Sequence, residues 1–203
     1  MFVIPENLPI EVTPLAFLVG TWEGTGVISY AFRRDANDVP VEYEFTQRIE
    51  FVNNGENYLT YSSTVQLLGD QPVTMPSELG YWRIARPAEV ADHGPGLIPG
   101  EGTHTIQTRD DLEALRNKAG GFDIEASIIH PSGISEHYVG QVKQARIDVA
   151  TAKGSSRSEN AKEYTGATRI YGLVEGALLW AWDIAALGNP LASHASARLE
   201  RVG

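Results

Sequence analysis

Alternation between apolar and polar residues is the dominant period of this chain. Over residues 41–51, Val41, Tyr43, Phe45, Ile49 and Phe51 share one face, the pattern of a half-buried β-strand. The same period, broken by glycine, runs over 22–30. It returns over 58–67, 78–85, 122–129, 134–142, 146–152, 165–174, 177–184 and 194–202. That makes ten predicted strands. Asn53-Asn54-Gly55, Gly69-Asp70, Pro131-Ser132-Gly133 and Glu175-Gly176 are turn signals between them. Consecutive strands with short links predict an antiparallel meander. Such a meander either closes or leaves two long edges, which proteins avoid. The expected fold is all-β: a ten-stranded antiparallel up-and-down β-barrel, wide enough to hold a small ligand. A sandwich of the same strands is the structural alternative.

Two segments depart from this period. Residues 11–19 repeat their apolar positions at roughly helical spacing, with Gly20 as a stop signal, and predict a short helix that covers one end of the barrel. Residues 86–120 are rich in Pro and Gly and end in a helix-like stretch over 110–118, with Asp110 as N-cap and Glu113 completing a capping box. At this length the segment is an inserted excursion between two strands rather than a simple loop.

Composition narrows the class. A chain of 203 residues, 42% hydrophobic, suits one domain over 1–203 with a real core. The net charge of −10 and the scattered Lys and Arg argue against nucleic acid or an anionic membrane surface as partner. The absence of cysteine excludes disulfides, thiolate metal sites and cysteine nucleophiles. There is no signal-peptide pattern at the start and no apolar run of membrane-spanning length, so a soluble cytoplasmic protein is expected. A homodimer is compatible with all of this.

Candidate chemistry is sparse. Gly20-Thr21-Trp22-Glu23-Gly24-Thr25-Gly26 fits G-x-W-x-G-x-G, but it lacks the Lys-Ser/Thr of a phosphate loop. A structural role is expected: Gly20, Gly24 and Gly26 let the first strand bend and pack closely while Trp22 plugs a barrel end. His93 and His104 fall in the insertion and are expected at the surface. His130 is expected to cap a turn, and His137, beside Glu136, to face outward. No pair has zinc-ligand spacing, and no G-x-S-x-G nominates a nucleophile. Glu78 is read as an internal carboxylate or, as is commoner for such a residue, a partner for an arginine such as Arg83, and Trp180 and Trp182 as either packing or a cavity wall. His194 sits among Ala192, Ser193, Ala195, Ser196 and Ala197, side chains too small to cover it and small enough to leave room for a large planar group. By strict alternation it shares a face with Ser196, Arg198 and Glu200, the outward one. A bulge at the strand start would turn it inward.

These residues also carry a family resemblance. The G-x-W-x-G-x-G stretch, then Ser77-Glu78-Leu79-Gly80-Tyr81-Trp82-Arg83, His130-Pro131-Ser132-Gly133-Ile134-Ser135-Glu136, and Pro190-Leu191-Ala192-Ser193-His194 followed by Ala197-Arg198-Leu199 together resemble the nitrobindin family. That family is a ten-stranded antiparallel barrel similar to fatty-acid-binding proteins. The resemblance implies haem b in the barrel, with His194 as iron ligand. It further implies ferric haem that binds nitric oxide and isomerises peroxynitrite to nitrate. A single imidazole ligand leaves one iron position open for such chemistry. The chain departs from the family pattern at Tyr30-Ala31-Phe32, where many members have Tyr-Pro-Thr, at Pro76-Ser77-Glu78, where many have His-x-Glu, and in its longer insertion.

Two other readings stand beside this one. A non-catalytic carrier or sensor of a small apolar ligand, such as a fatty acid, would clamp a carboxylate with an internal arginine, for which Arg48, Arg83, Arg169 and Arg198 are candidates. An inert relative would fill its barrel with its own side chains.

Overall fold

The computed structural model describes residues 7–34, 37, 40–152 and 155–202. All ten expected strands are present: β1 (Gly20–Arg34), β2 (Pro40–Val52), β3 (Leu59–Leu67), β5 (Glu78–Ile84), β6 (Phe122–His130), β7 (Ile134–Lys143), β8 (Arg146–Thr151), β10 (Tyr164–Val174), β11 (Ala177–Ala186) and β12 (Ala192–Val202). Two short strands were not expected: β4 (Val73–Thr74) adds to β3, and β9 (Ser156–Arg157) adds to β7.

Each long strand pairs antiparallel with the next long strand in the chain, and β1 pairs with β12, from Thr21 opposite Val202 to Ile28 opposite Ala195. The ring is therefore a closed, ten-stranded antiparallel up-and-down barrel, with no long strand left unpaired along an edge. Alternation sets its interior. Phe45, Ile49 and Phe51 of β2, Ile124, Ala126 and Ile128 of β6, and Leu178 and Trp180 of β11 point into one buried core.

One end is plugged. Residues 10–18 form a helix as expected, but of 3-10 rather than α type (Ile10–Leu18). Pro14 lies in its middle, where it cannot donate a backbone hydrogen bond and would clash in an α-helical turn. Val12, Leu15, Phe17 and Leu18 are buried against the strands. Trp22 is fully buried below them, its Nε1 donating to the Leu18 carbonyl at 2.7 Å. Close approach of β1 to β12 explains two of the motif's glycines: a Cβ at Gly24 would lie 2.2 Å from the Arg198 carbonyl oxygen, and one at Gly26 2.3 Å from that of Ser196.

The insertion packs at this same plugged end. The Arg86 Nε donates to Glu11 at 2.8 Å and its Nη1 to Asp92 at 2.7 Å, in surroundings that leave Arg86 and Glu11 almost wholly buried. Leu112 of the short helix α1 (Arg109–Glu113) is buried too. The N-cap of α1 is Thr108 rather than Asp110, and its capping box closes through Asp111 rather than Glu113. Thr108 is the better cap because its hydroxyl accepts from the Asp111 N–H while Asp111 reaches back to the Thr108 N–H. The excursion thus clamps the plug at this end.

Candidate functional site

The other end holds the cavity. Along β12 the register with β11 shifts by one residue: Trp182 faces Ala195, but Asp183 faces Ser193. His194 is the extra residue. The bulge breaks the alternation that would have pointed it outward, so His194 and Ala195 both line the barrel interior. The imidazole sits edge-on to two rings, Tyr30 at 5.8 Å and Trp182 at 5.3 Å between centroids. The Ser29 backbone carbonyl lies near its ring. Burial lowers the His194 pKa, the Ser29 carbonyl opposes this, and the charge of Arg169 adds to the lowering. The balance favours the neutral imidazole, which keeps a lone pair on one ring nitrogen.

The cavity beside it has a volume of about 220 Å³. Ile28, Tyr30, Phe45, Trp180 and Trp182 wall it, and Gln47, Glu78, His130 and Arg169 supply polar groups. A larger recess of about 930 Å³ runs along β10, β11 and β12, lined by Ile170, Ala181, Ser196 and Arg198. It is a groove on the outer barrel surface, away from the clustered polar groups, and the interior cavity is the better site.

A charge network forms one side of the cavity. Arg169 is almost fully buried and donates to Glu78 through two nitrogens at 2.9 and 2.7 Å, to Glu136 at 3.2 Å and to the Tyr138 hydroxyl at 3.0 Å. Tyr138 in turn donates to Glu136 at 2.6 Å, Tyr61 to Glu78 at 2.7 Å, and Tyr164 also donates to Glu136. His130 completes the set, its Nε2 2.7 Å from Glu136. Burial alone would raise the Glu78 pKa, but the charge and hydrogen bonds of Arg169 override it and hold it at about 2. Burial raises the phenols of Tyr61 and Tyr138. Glu78, His130 and Glu136 offer donor atoms within 4.8 Å of one another. The Arg169 guanidinium is bonded to both of these carboxylates.

Several expectations need correction. Glu78 pairs with Arg169, and Arg83 pairs instead with Glu125 on the outer surface. His130 is not a simple turn cap but faces the cavity. His104 is half-buried near Asp92 rather than at the open surface, whereas His93 is exposed. His137 faces out, 3.3 Å from Ser127, as its parity suggested. Trp180 and Trp182 are cavity wall. The side chains of Ala31 and Phe32 lie outside the described residues. Sequence reasoning missed Gln47, Glu136 and the inward direction of Arg169. Each interrupts an apolar face: Gln47 lies between Phe45 and Ile49, Glu136 is in parity with Tyr138, and Arg169 with Ala167 and Tyr171. Polar residues on the apolar parity were the available signal.

The family model described as "THAP4-like, heme-binding beta-barrel domain" matches residues 11–201. The chain belongs to this family. Among curated proteins, it is 53% identical over 201 residues to a peroxynitrite isomerase of Leifsonia xyli subsp. xyli, covering 99% of each chain. It is also 53% identical over 203 residues to a peroxynitrite isomerase of Clavibacter michiganensis subsp. michiganensis, covering 100% of each. Among solved structures, it is similar to the crystal structure of Rv2717c from M. tuberculosis, with a TM-score of 0.69, 25% identity, and coverage of 97% of this chain and 99% of that one.

Haem is the cofactor of this family, and the residues of the haem-binding barrel fit it. Iron needs an imidazole with a free lone pair and a fixed ring, and the bulge together with the rings of Tyr30 and Trp182 sets the direction of His194. A porphyrin needs flat, apolar walls, provided by the aromatic rings beside His194. The Trp182 indole N–H is buried at the cavity wall without a hydrogen-bond partner, which is costly unless a ligand supplies an acceptor. A fatty-acid clamp fits less well. Of the arginines considered, Arg48, Arg83 and Arg198 are exposed and paired on the outer surface. Arg169, the one that faces inward, is already neutralised by two glutamates.

Proposed function

We propose that this chain binds ferric haem b through His194 and isomerises peroxynitrite to nitrate, with nitric oxide as a second ligand. The observation that carries this reading is the β12 bulge, which turns His194 into an aromatic cavity. Full-length identity of 53% to relatives named peroxynitrite isomerase supports the choice of substrate. Bound ferric haem supplies redox and Lewis-acid activation of a coordinated oxygen–oxygen bond. The chain's own residues do the rest. His194 would hold the iron, and Trp180, Trp182 and Phe45 would give the porphyrin apolar walls. Glu78 and Glu136 neutralise Arg169, so its charge does not compete for an anionic substrate.

Residues 1–203 are read as one domain, acting in the cytoplasm on small molecules without a nucleic-acid partner. Among the described residues no helix is long and apolar enough to cross a membrane. The experiment is stopped-flow decay of peroxynitrite with the haem-loaded protein, the apoprotein and free ferric haem, with nitrate and nitrite yields measured. Faster decay with a raised nitrate yield in the loaded protein alone is expected. Decay no faster than with free haem would overturn the proposal.

A further inference from the structure

His194 has no neighbour on its own strand large enough to hold its ring: Ala192, Ser193, Ala195 and Ser196 flank it. Its support comes from other strands. Trp182 of β11 stands directly opposite Ala195 and meets the His194 ring nearly perpendicular, at 79° and 5.3 Å between centroids. Tyr30 of β1 is a second ring against it, at 5.8 Å. The two tryptophans of β11 are held differently. Trp180 donates from its Nε1 to Gln47 at 2.8 Å, whereas the buried Trp182 Nε1 has no hydrogen-bond partner. The indole of Trp182 is gripped over its face instead. Arg169, its direct cross-strand neighbour on β10, places its guanidinium carbon 4.2 Å from the ring centroid, an attraction that strengthens out of water. The His130 ring lies nearly parallel to the indole, at 12° and 6.2 Å. Arg169 is fixed in turn: it is 2% exposed and bonded to Glu78 of β5 and Glu136 of β7 at 2.7–3.2 Å. One row of contacts therefore crosses the barrel, from two carboxylates through Arg169 and Trp182 to His194.

We infer that Trp182 is the positioning residue for His194 and that Arg169 keeps it in place, so that the buried ion network aims the iron ligand from across the barrel; this rests on the role proposed above for His194. An edge-to-face pair prefers an angle as well as a distance, so Trp182 restrains rotation of the imidazole in a way that aliphatic packing would not. The indole has no hydrogen bond of its own to fall back on. Removing the cation from its face frees it to turn, and the imidazole then samples more orientations. Arg169 thus does more than neutralise two glutamates, and it acts on His194 only through Trp182.

The test compares the full-length protein with Trp182→Leu, Arg169→Met, the two combined, and His194→Ala, each mixed with ferric haem and checked for folding by circular dichroism. Resonance Raman of the reduced samples reads the iron–histidine stretching band, and transfer to excess apomyoglobin reads the rate of haem loss. Trp182→Leu should shift or broaden the band and speed haem loss roughly two- to twelvefold, the range that one T-shaped aromatic pair is worth. Arg169→Met should change both in the same direction, and the combined variant should do no more than Trp182→Leu alone, because the two residues act in series. Loss of a pocket wall by itself would speed haem loss and leave the band in place, so an unmoved band in Trp182→Leu overturns the inference. Additive changes in the combined variant overturn it too. If Arg169→Met does not fold, Arg169→Lys, which keeps a cation but cannot fork to both carboxylates, replaces it: a weaker change that vanishes in combination is then expected, and an additive one again overturns the inference. A lost band in His194→Ala beside an unmoved one in Trp182→Leu overturns this inference alone. A wild-type band in His194→Ala overturns it together with the proposed iron ligand.

Discussion

Replacing Arg169 by methionine should cost more stability than any single substitution at the barrel surface. The side chains have similar length, so the change removes the charge while keeping much of the packed volume. It strands Glu78 and Glu136, whose side chains are 12% and 0% exposed. Breaking a buried ion pair by deleting one partner costs about 3–5 kcal/mol. The Glu78 carboxyl gives an independent measure. Its fall from 4.5 to about 2 on folding corresponds to about 3–4 kcal/mol at neutral pH, using about 1.4 kcal/mol per unit. Because the folded-state pKa is the lower one, this contribution is complete above the ordinary carboxylate range and disappears as the pH falls through about 2. The assay is urea unfolding of the apoprotein, followed by tryptophan fluorescence, at neutral pH and at steps down the acid range. The wild type should weaken on acidification below the unfolded glutamate pKa. Arg169→Met should start weaker and lose less, because its stranded Glu78 is stabilised by taking up a proton. A variant as stable as wild type at neutral pH, with the same acid loss, would refute the reasoning.

Three further outcomes test other parts of the structure. Deleting Ser193 moves His194 into register opposite Asp183, so that the bulge closes, strict alternation returns and His194 points outward; haem titration should then show no saturable binding while far-ultraviolet circular dichroism stays that of a barrel. Gly26→Val places a side chain where a Cβ already meets the Ser196 carbonyl at 2.3 Å and Phe45 at 2.4 Å, and thermal unfolding should report a loss of about 1–3 kcal/mol or more from overpacking. Glu11→Ala strips Arg86 of a buried partner and should lower stability by about 1–3 kcal/mol, yet leave haem affinity unchanged because that cluster lies at the opposite end of the barrel.

The barrel was legible because a period of two over ten segments, joined by recognisable turns, has few other solutions. The short strands β4 and β9, two residues each, were not, since two residues carry no period. The opening helix was located correctly, but its type was decided by Pro14, whose missing N–H favours the tighter 3-10 winding in this packed setting. His194 stood out through the small residues around it. Its direction was hidden because a bulge is set by how β11 meets β12, and alternation within one strand cannot encode it. The Arg169 network was hidden for a related reason: its partners Glu78 and Glu136 come from β5 and β7, 91 and 33 positions away along the chain. Only closure of the barrel brings them together.

The central claim is that His194, turned inward by the bulge, holds the haem iron. Titration of the purified protein and of His194→Ala with ferric haem, followed through the Soret band, tests it most directly. The account predicts a saturable one-to-one shift in the wild type and its loss in a variant that remains a folded barrel by circular dichroism. The same shift at the same affinity in His194→Ala would contradict it.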